Sequence, residues 1–220
     1  MSIAENYLDI LNEIPNNVSL ITVSKTRAVE EILEAYNAGA REFGENKVQE
    51  LCNKYEELPK DIKWHLIGHL QRNKVKYLVD KVYLIHSLDS IRLLDEIEKQ
   101  FSSKGKVANA LIQINIGKED SKTGVLLEDL QGLIEACERC NSVKIKGLMA
   151  TIPIGDEESC RYFFKEMKKV YEKLRENTYN NIDMEVLSIG MTGDYDIAIE
   201  EGSNMIRIGE GIFGKRNYNK

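Results

Sequence analysis

The sequence is poor in the residues that mark special classes of chain. Three prolines and fifteen glycines among 220 residues exclude collagen-like chains and low-complexity chains rich in proline or glycine. Acidic residues outnumber basic ones by 36 to 30, and the net charge of -6 provides no positive field that would attract nucleic acid or an anionic membrane. With 42% hydrophobic and 30% charged residues, the chain is long enough to bury one large core, and we expect a globular protein.

Targeting signals are also missing. The first residues carry Glu5, Asp9 and Glu13 among apolar side chains, which fits neither a secretory signal nor an arginine-rich transit peptide. No uncharged apolar run is long enough to cross a bilayer. We therefore expect a cytoplasmic protein whose partners include neither a membrane nor a nucleic acid.

Cysteine is scarce as well. The cysteines are too few for a disulfide scaffold in a chain of this size, and they lie at Cys52, Cys137, Cys140 and Cys160. Cys137 and Cys140 form a C-x-x-C pair. A zinc site would need further ligands nearby, and the histidines all lie far upstream, at His65, His69 and His86. We interpret the pair as neighbours on a helix and expect no metal.

Short β-branched runs alternate with longer stretches of helical period along the chain. This alternation is typical of βα repeats and a parallel sheet. We predict strands at residues 19–25, 41–45, 63–68, 82–88, 109–116, 144–150, 184–190 and 205–209. That number of repeats favours a closed (β/α)8 barrel over an open doubly wound sheet, with residues 1–220 as a single domain.

The two ends of the predicted barrel depart from a regular repeat. An amphipathic helix around Ile3 to Leu11 precedes the first strand, whereas only a short polar tail, KRNYNK, follows the last strand. The last strand therefore lacks a partner helix, and we expect the leading helix to cover the gap. Because the functional residues of such barrels lie at the carboxyl ends of the strands, we expect the site of this protein there.

Lys25 is the first candidate because it ends ITVSK, a strand that is otherwise almost wholly apolar. Partial desolvation at such a position lowers the pKa of an amine and increases its neutral, nucleophilic fraction, which imine formation with an aldehyde requires. The alternative is a lysine whose stem follows the strand while its ammonium reaches water. Lys25 alone leaves both interpretations open.

The ends of the last two strands form the second candidate. Small residues at these ends expose backbone amides, and the corresponding loops of barrels frequently bind phosphate. The residues positioned to line such a site are Ser188, Thr192, Gly209 and Glu210. Ordinary turn and capping chemistry explains the same residues equally well.

Two polar residues interrupt apolar strands. Arg207 lies in MIRIG, and the alternation of side chains predicts that it points away from the side of Ile206 and Ile208. A buried arginine requires a partner, either a carboxylate or a ring nitrogen of a bound heterocycle. His65, in the middle of its strand, is predicted to be an interior histidine rather than a metal ligand.

Ordered sequence blocks from one end of the chain to the other resemble the pyridoxal phosphate homeostasis proteins (YggS-type), relatives of the barrel domain of alanine racemase. The matching blocks are VSKT (23–26), FGENKVQE (43–50), WHLIGHLQRNK (64–74), HSLD (86–89), SKTG (121–124), KGLMA (146–150), LSIGMTGD (187–194) and IRIGEGIFGKR (206–216). So many blocks in order make this resemblance far more specific than any single motif.

The resemblance implies a barrel that binds pyridoxal 5'-phosphate (PLP) as a reversible imine. In this family pattern Lys25 is the imine lysine, Asn46 lies beside the ring and Arg207 faces the pyridine nitrogen. The phosphate is held by the loops that contain Ser188, Thr192, Gly209 and Glu210. An arginine disfavours protonation of the pyridine nitrogen, so the cofactor is poorly tuned for carbanion chemistry.

Two positions depart from the family pattern. Lys47 follows Asn46 where the family often has tyrosine, and Glu210 stands where a small hydroxyl residue is common. A glutamate side chain repels phosphate unless it points away, so we expect weaker phosphate binding than with threonine at this position. A third residue, Lys122 in SKTG, is interpreted either as a second lysine near the cofactor or, preferably, as a lysine exposed on a loop.

The function implied is intracellular vitamin B6 homeostasis, with PLP-dependent apoenzymes as candidate recipients of the cofactor. The alternative is a weak PLP-dependent racemase or a transaminase-like enzyme. We expect no enzyme, because the second acid/base of alanine racemase comes from an additional domain with no counterpart in this sequence. That domain also mediates the racemase dimer, so we expect a monomer. A scaffold that has lost the cofactor is disfavoured, because Lys25, Asn46 and Arg207 stand in their motif positions.

Overall fold

The computed structural model describes residues 1–119 and 122–215, and it contains a closed barrel of parallel strands in the order β1 to β8. The strands are β1 (Ser19–Val23), β2 (Glu42–Glu45), β3 (Lys63–Leu66), β4 (Val82–Leu88), β5 (Ala108–Gln113), β6 (Val143–Met149), β7 (Ile182–Met191) and β8 (Met205–Ile208). The last strand pairs with the first, with Thr22 registered against Ile208. The predicted (β/α)8 barrel is confirmed.

Helices alternate with these strands and form the outer layer. They are α1 (Ile3–Glu13), α2 (Val29–Asn37), α3 (Val48–Glu57), α4 (Ile91–Ser102), α5 (Leu130–Glu138), α6 (Glu157–Arg175), α7 (Tyr195–Glu200) and α8 (Glu210–Phe213). A 3₁₀ helix, Arg72–Tyr77, connects β3 to β4. The α-helices longer than two turns each bury one apolar face, as the helical period predicts.

The leading helix covers the junction of the barrel as predicted. Ser2 and Glu5 cap its start reciprocally, with the Glu5 amide donating to Ser2 Oγ at 3.1 Å and the Ser2 amide donating to Glu5 Oε2 at 2.8 Å. Asn6 Nδ2 donates to the Ile212 carbonyl at 2.9 Å, so α1 holds α8. The prediction that no helix follows the last strand is wrong, because residues 210–213 complete one helical turn.

The observed strand ends differ from the predicted ones at two places that affect the site. β1 stops at Val23, before the predicted Lys25, because the chain turns sharply at residues 24–27. β7 extends to Met191, and its residues up to Gly190 are largely buried. Apolar alternation alone does not fix where a strand yields to a turn.

The cysteines are free thiols, and Cys137 lies in α5 with Cys140 just beyond its end. Burial raises the pKa of the Cys137 thiol to about 12, which makes it unreactive. Within residues 1–119 and 122–215, no helix is long and apolar enough to span a membrane.

Candidate functional site

Lys25 lies at the mouth of the barrel, just beyond the end of β1. Residues 24–27 form a tight turn in which the Arg27 amide donates to the Ser24 carbonyl at 3.0 Å. Thr26 adopts the left-handed conformation, with φ of 65°, and its amide donates to Glu50 Oε2 at 2.8 Å. These bonds fix the backbone on both sides of Lys25, which is itself partly exposed.

A buried ionic cluster supports this turn from the outer face of the sheet. Lys54 Nζ donates to the Ser24 carbonyl and to Glu45 Oε1, both at 2.8 Å. The Ser24 hydroxyl donates to the same Glu45 oxygen at 2.6 Å, and Glu50 Oε2 lies 3.5 Å from Lys54 Nζ. Burial raises the pKa of Glu45, while Lys54 and Ser24 oppose that rise. Sequence reasoning missed this cluster; its only signal was a glutamate ending a strand before a helix that carries a lysine.

Asn46 leaves the neighbouring strand at the same level as Lys25. Val23 is registered with Gly44, so Lys25 and Asn46, each two residues farther on, emerge from adjacent strands. A Cβ at Gly68 would lie 2.4 Å from the Asn46 carbonyl oxygen. Glycine is therefore required at position 68 for the loop after β3 to pack against Asn46.

A cavity of about 450 Å³ opens between the ends of β1 and β8. Its lining comprises Val23, Lys25, Arg27, Gly209, Glu210, Gly214 and Lys215. Arg27 Nη1 is paired with Glu31 at 3.1 Å, and Arg27 Nη2 donates to the Gly214 carbonyl at 2.5 Å. A Cβ at Gly209 would lie 3.3 Å from the Val23 carbonyl oxygen, so glycine keeps this edge open. Lysine and arginine outnumber the single lining carboxylate, and the cavity therefore favours an anion.

The segments after β7 and β8 meet beside this cavity. The Gly211 amide donates to Thr192 Oγ1 at 3.4 Å, which joins the two segments. Glu210 begins α8 and is exposed. The structure thus brings three of the predicted phosphate-site residues, Thr192, Gly209 and Glu210, into the same region as Lys25.

Ser188 lies deeper than predicted. It is fully buried, and its Oγ lies 2.7 Å from Arg207 Nη1 and 3.2 Å from His86 Nδ1. Because β7 continues to Met191, Ser188 points into the barrel interior below the rim. Its hydroxyl already has hydrogen-bond partners there. This interior position differs from the predicted one, in which Ser188 lines the phosphate site.

Arg207 points into the barrel, on the opposite side from Ile206 and Ile208 as the alternation of MIRIG predicts, and is almost fully buried. Its Nη1 donates to the Ser188 carbonyl at 2.7 Å, and its Nη2 donates to the Ala150 carbonyl at 3.0 Å. Burial lowers the pKa of Arg207 to about 10, and the charge of Asp194 opposes that change. No carboxylate of the described residues lies within 4.0 Å of its guanidinium, so the cation is held by neutral oxygens.

Two histidines fill the interior next to Arg207 and Ser188. His65 and His86 are fully buried, with His65 Nδ1 2.9 Å from His86 Nε2. The prediction that His65 is an interior histidine is confirmed. Sequence reasoning did not assign a role to His86, although it lies in the block HSLD.

Lys122 lies on the opposite side of the barrel mouth from Arg27 and Lys215. It lines a cavity of about 270 Å³ together with Ile67, Gly68, His69, Gln113, Thr123 and Thr151. Its Nζ donates to the Ile152 carbonyl at 2.9 Å and pairs with Glu119 at 2.5 Å. The preferred interpretation as an exposed loop lysine is therefore wrong. Ser121 of the same block, and Arg216 of the last block, lie outside the described residues.

Comparisons of sequence extend along nearly the whole chain. Residues 1–217 match the family described as "Alanine racemase, N-terminal domain". The pyridoxal phosphate homeostasis protein of Aquifex aeolicus is 43% identical over 205 residues, which cover 92% of this chain and 89% of that relative. The protein of the same name from Escherichia coli is 39% identical over 212 residues, covering 94% and 89% of the two chains.

Comparisons of structure agree with those of sequence. PipY of Synechococcus elongatus, solved with PLP bound, superimposes with a TM-score of 0.89 at 33% identity, covering 97% of this chain and 100% of PipY. Alanine racemase from E. faecalis superimposes with a TM-score of 0.74 at 14% identity, covering 97% of this chain and 58% of the racemase. At that identity the second comparison concerns the fold alone.

Proposed function

The chain belongs to the pyridoxal phosphate homeostasis proteins within the alanine racemase N-terminal domain family, and from this premise we propose that it binds PLP reversibly at the mouth of its barrel. Lys25 is the covalent attachment point. Residues 1–220 act as one binding domain that stores the cofactor and delivers it within the cytoplasm. The recipients are PLP-dependent apoenzymes.

The observation that carries this proposal is the cationic cavity between β1 and β8, which has a lysine at its rim. PLP combines a phosphate dianion, an aldehyde and a pyridine ring, and the described residues fit each part. Arg27 and Lys215 supply positive charge for the phosphate and Lys25 supplies the amine for the aldehyde, while Gly209 leaves room where a Cβ would press against Val23. The phosphate belongs beside Thr192 and the backbone of residues 209–211.

Bound PLP supplies an aldehyde that a primary amine captures reversibly. The turn at residues 24–27 fixes the Lys25 backbone, so the flexible lysine side chain extends into the cavity from a fixed Cα. Asn46 is assigned to the ring by the family resemblance. Arg207 is assigned to the pyridine nitrogen, where a cation disfavours protonation and weakens the ring as an electron sink.

The cavity suits storage better than catalysis. Proton transfer on both faces of a bound amino acid requires a second acid/base besides the attachment lysine. Within the described lining, Glu210 is the only carboxylate, and neither tyrosine nor histidine contributes. We therefore propose a carrier that is not an enzyme.

Trapping the adduct tests the attachment residue. The parent, Lys25→Ala and Lys47→Ala are incubated with PLP, treated with borohydride and examined by visible absorption and intact mass. Lys47 is an exposed lysine next to Asn46 and serves as the matched control. We expect a yellow parent and a mass gain of one phosphopyridoxyl group, retained in Lys47→Ala and lost in Lys25→Ala. A colourless, unmodified parent would refute the proposal, and equal modification of Lys25→Ala would move the attachment to another lysine.

Carrier and enzyme are separated by a transfer assay. Loaded parent is mixed with the apo form of a PLP-dependent enzyme, and the recovery of that enzyme's activity is followed beside free PLP at equal concentration. Alanine racemisation and transamination by the loaded parent are measured in parallel. Recovery without turnover supports the carrier, whereas turnover lost in Lys25→Ala supports the weak enzyme. Light scattering of the loaded protein tests the expected monomer.

A further inference from the structure

A chain of polar side chains crosses the barrel interior next to Arg207. Glu42 Oε2 lies 3.4 Å from His65 Nε2, and His65 Nδ1 lies 2.9 Å from His86 Nε2. His86 Nδ1 lies 3.2 Å from Ser188 Oγ, which accepts a hydrogen bond of 2.7 Å from Arg207 Nη1. Both imidazoles and Ser188 are fully buried, so bulk water does not compete for these bonds.

Burial also determines the protonation state of these polar side chains. It lowers the pKa of His65 and holds that of His86 well below the usual range, with His65 and the Arg207 charge acting in the same direction on His86. Both imidazoles are therefore neutral at pH 7, and each has one N–H and one acceptor nitrogen. If the Ser188 hydroxyl donates to His86 Nδ1, then His86 Nε2 donates to His65 Nδ1, and His65 Nε2 carries the proton that faces Glu42.

The Glu42 carboxylate decides between this direction and its reverse. In the reverse direction the lone pair of His65 Nε2 would face a negative charge. No described residue makes a hydrogen bond of normal geometry to that nitrogen, and the Glu42 carboxylate lies 3.4 Å from it. His65 and Lys63 hold the pKa of Glu42 below its usual value, so Glu42 is an ionised acceptor.

We propose that Glu42, His65, His86 and Ser188 form a directional hydrogen-bond relay that orients Arg207 toward the pyridine ring of bound PLP; this inference rests on the proposed function. The bonds to Ser188 and Ala150 leave the Arg207 Nε–H and one Nη2 hydrogen without a hydrogen bond to the described residues.

Glu42, His65 and His86 are positioning residues that act through Ser188. The relay couples the buried cation to a carboxylate at the amino ends of the strands, because consecutive hydrogen bonds polarise one another. Asp194, in the segment after β7, is the acidic group whose charge acts on Arg207 directly.

The direction of the relay is measurable without cofactor. Long-range ¹H–¹⁵N spectra of ¹⁵N-histidine-labelled protein report which ring nitrogen is protonated, and His69→Asn assigns the exposed histidine. We expect His65 and His86 both to be protonated at Nε2. Protonation of either at Nδ1 would overturn the relay.

A matched pair of variants tests the role of the carboxylate. Glu42 and Glu185 line the same cavity at the amino ends of the strands, and each pairs with a lysine. Glu42→Gln removes the charge that selects the direction, so we expect mixed protonation at His65. Glu185→Gln should leave the histidine spectra unchanged. Identical spectra for the parent and Glu42→Gln would contradict the proposal.

The loaded protein reports whether the relay reaches the cofactor. We expect the visible absorption maximum of bound PLP to shift in Glu42→Gln and Ser188→Ala and to stay at the parent position in Glu185→Gln. Affinity for PLP should fall by no more than about tenfold, since one hydrogen bond is altered. A shift in Ser188→Ala alone would refute the part of the relay beyond Ser188. If the parent binds no PLP, the proposed function fails, while the histidine spectra still judge the direction of the hydrogen bonds.

Discussion

On the outer face of the barrel sheet the strands present mainly apolar side chains to the helices, whereas the inner face carries buried histidine, serine and arginine. Phe43, Trp64 and Ile85 are typical of the outer face, and all are fully buried. The inner apolar cluster is small, comprising Ile21, Leu84, Leu111, Met149 and Met205, with Val186 packed against it. The outer face thus stabilises the barrel by burying apolar area. The interior of the barrel is instead filled largely by polar groups that serve the site.

One group departs from this division. Glu45 and Lys54 are buried on the outer face, yet Lys54 donates to the Ser24 carbonyl and Glu45 accepts from the Ser24 hydroxyl, at the turn that carries Lys25. The outer face therefore influences the site wherever a polar group reaches the rim.

The largest effect on stability is expected from truncating a buried side chain of the outer face. Phe43 is fully buried with its ring 5.9 Å from that of Trp64, so Phe43→Ala should lower the free energy of unfolding by about 3–5 kcal/mol. Tyr162→Ala, at an exposed aromatic residue, should change it by less than about 0.5 kcal/mol. Denaturant unfolding measures both. Borohydride trapping of PLP by folded Phe43→Ala should match the parent; loss of trapping would mean that the two faces are not separable.

A smaller but more informative effect is expected at Lys54. Lys54→Met leaves Glu45 buried without its cation, which should lower the free energy of unfolding by about 3 kcal/mol and reduce trapping at Lys25. The double variant Glu45→Gln/Lys54→Met removes both charges and should recover most of that stability. It should not recover the trapping, because the Ser24 carbonyl still lacks its donor. Restored trapping in the double variant would show that charge balance, rather than support of the turn, is what Lys25 requires.

The inner face should make stability depend on pH near neutrality. Burial lowers the pKa of His65 and His86 below the ordinary 6.5, so the unfolded chain binds protons that the folded chain refuses. Acidification below about pH 6.5 should therefore reduce the free energy of unfolding, by up to about 1.4 kcal/mol per pH unit for each buried histidine. Denaturant unfolding, measured between pH 7.5 and 5.5 in steps of roughly half a pH unit, checks this slope.

Two histidine variants test which residues produce this pH dependence of the free energy of unfolding. His86→Asn should remove part of it, whatever its effect on stability at pH 7.5, because it removes one of the two buried titrating groups. His69→Asn, at an exposed histidine, is the matched control outside the barrel interior. Equal slopes in the parent and His86→Asn would mean that the inner face does not control the pH dependence.

The same division explains what could be predicted from sequence. Outer-face alternation repeats in every strand, so the number and order of strands followed from the pattern. The contacts among Glu42, His65, His86 and Ser188 join different strands, up to 102 residues apart, and no local period encodes them. Ser188 was misplaced for a related reason, since its height in the barrel depends on where β7 ends rather than on its neighbours in sequence.

The smallest effect is expected at Glu210, where the rim departs from the family pattern. Its exposed carboxylate lines the cationic cavity and would repel a phosphate across screened solvent. Glu210→Thr should therefore bind PLP about threefold more tightly, a gain below about 1 kcal/mol, as expected for an exposed charge. Glu176→Thr, at an exposed glutamate beyond α6, controls for the change in net charge. Equilibrium titration at low and high salt measures the gain, which should shrink as salt rises. Equal affinity of the parent and Glu210→Thr at low salt would mean that the glutamate points away from the phosphate and that the backbone alone forms this edge of the site.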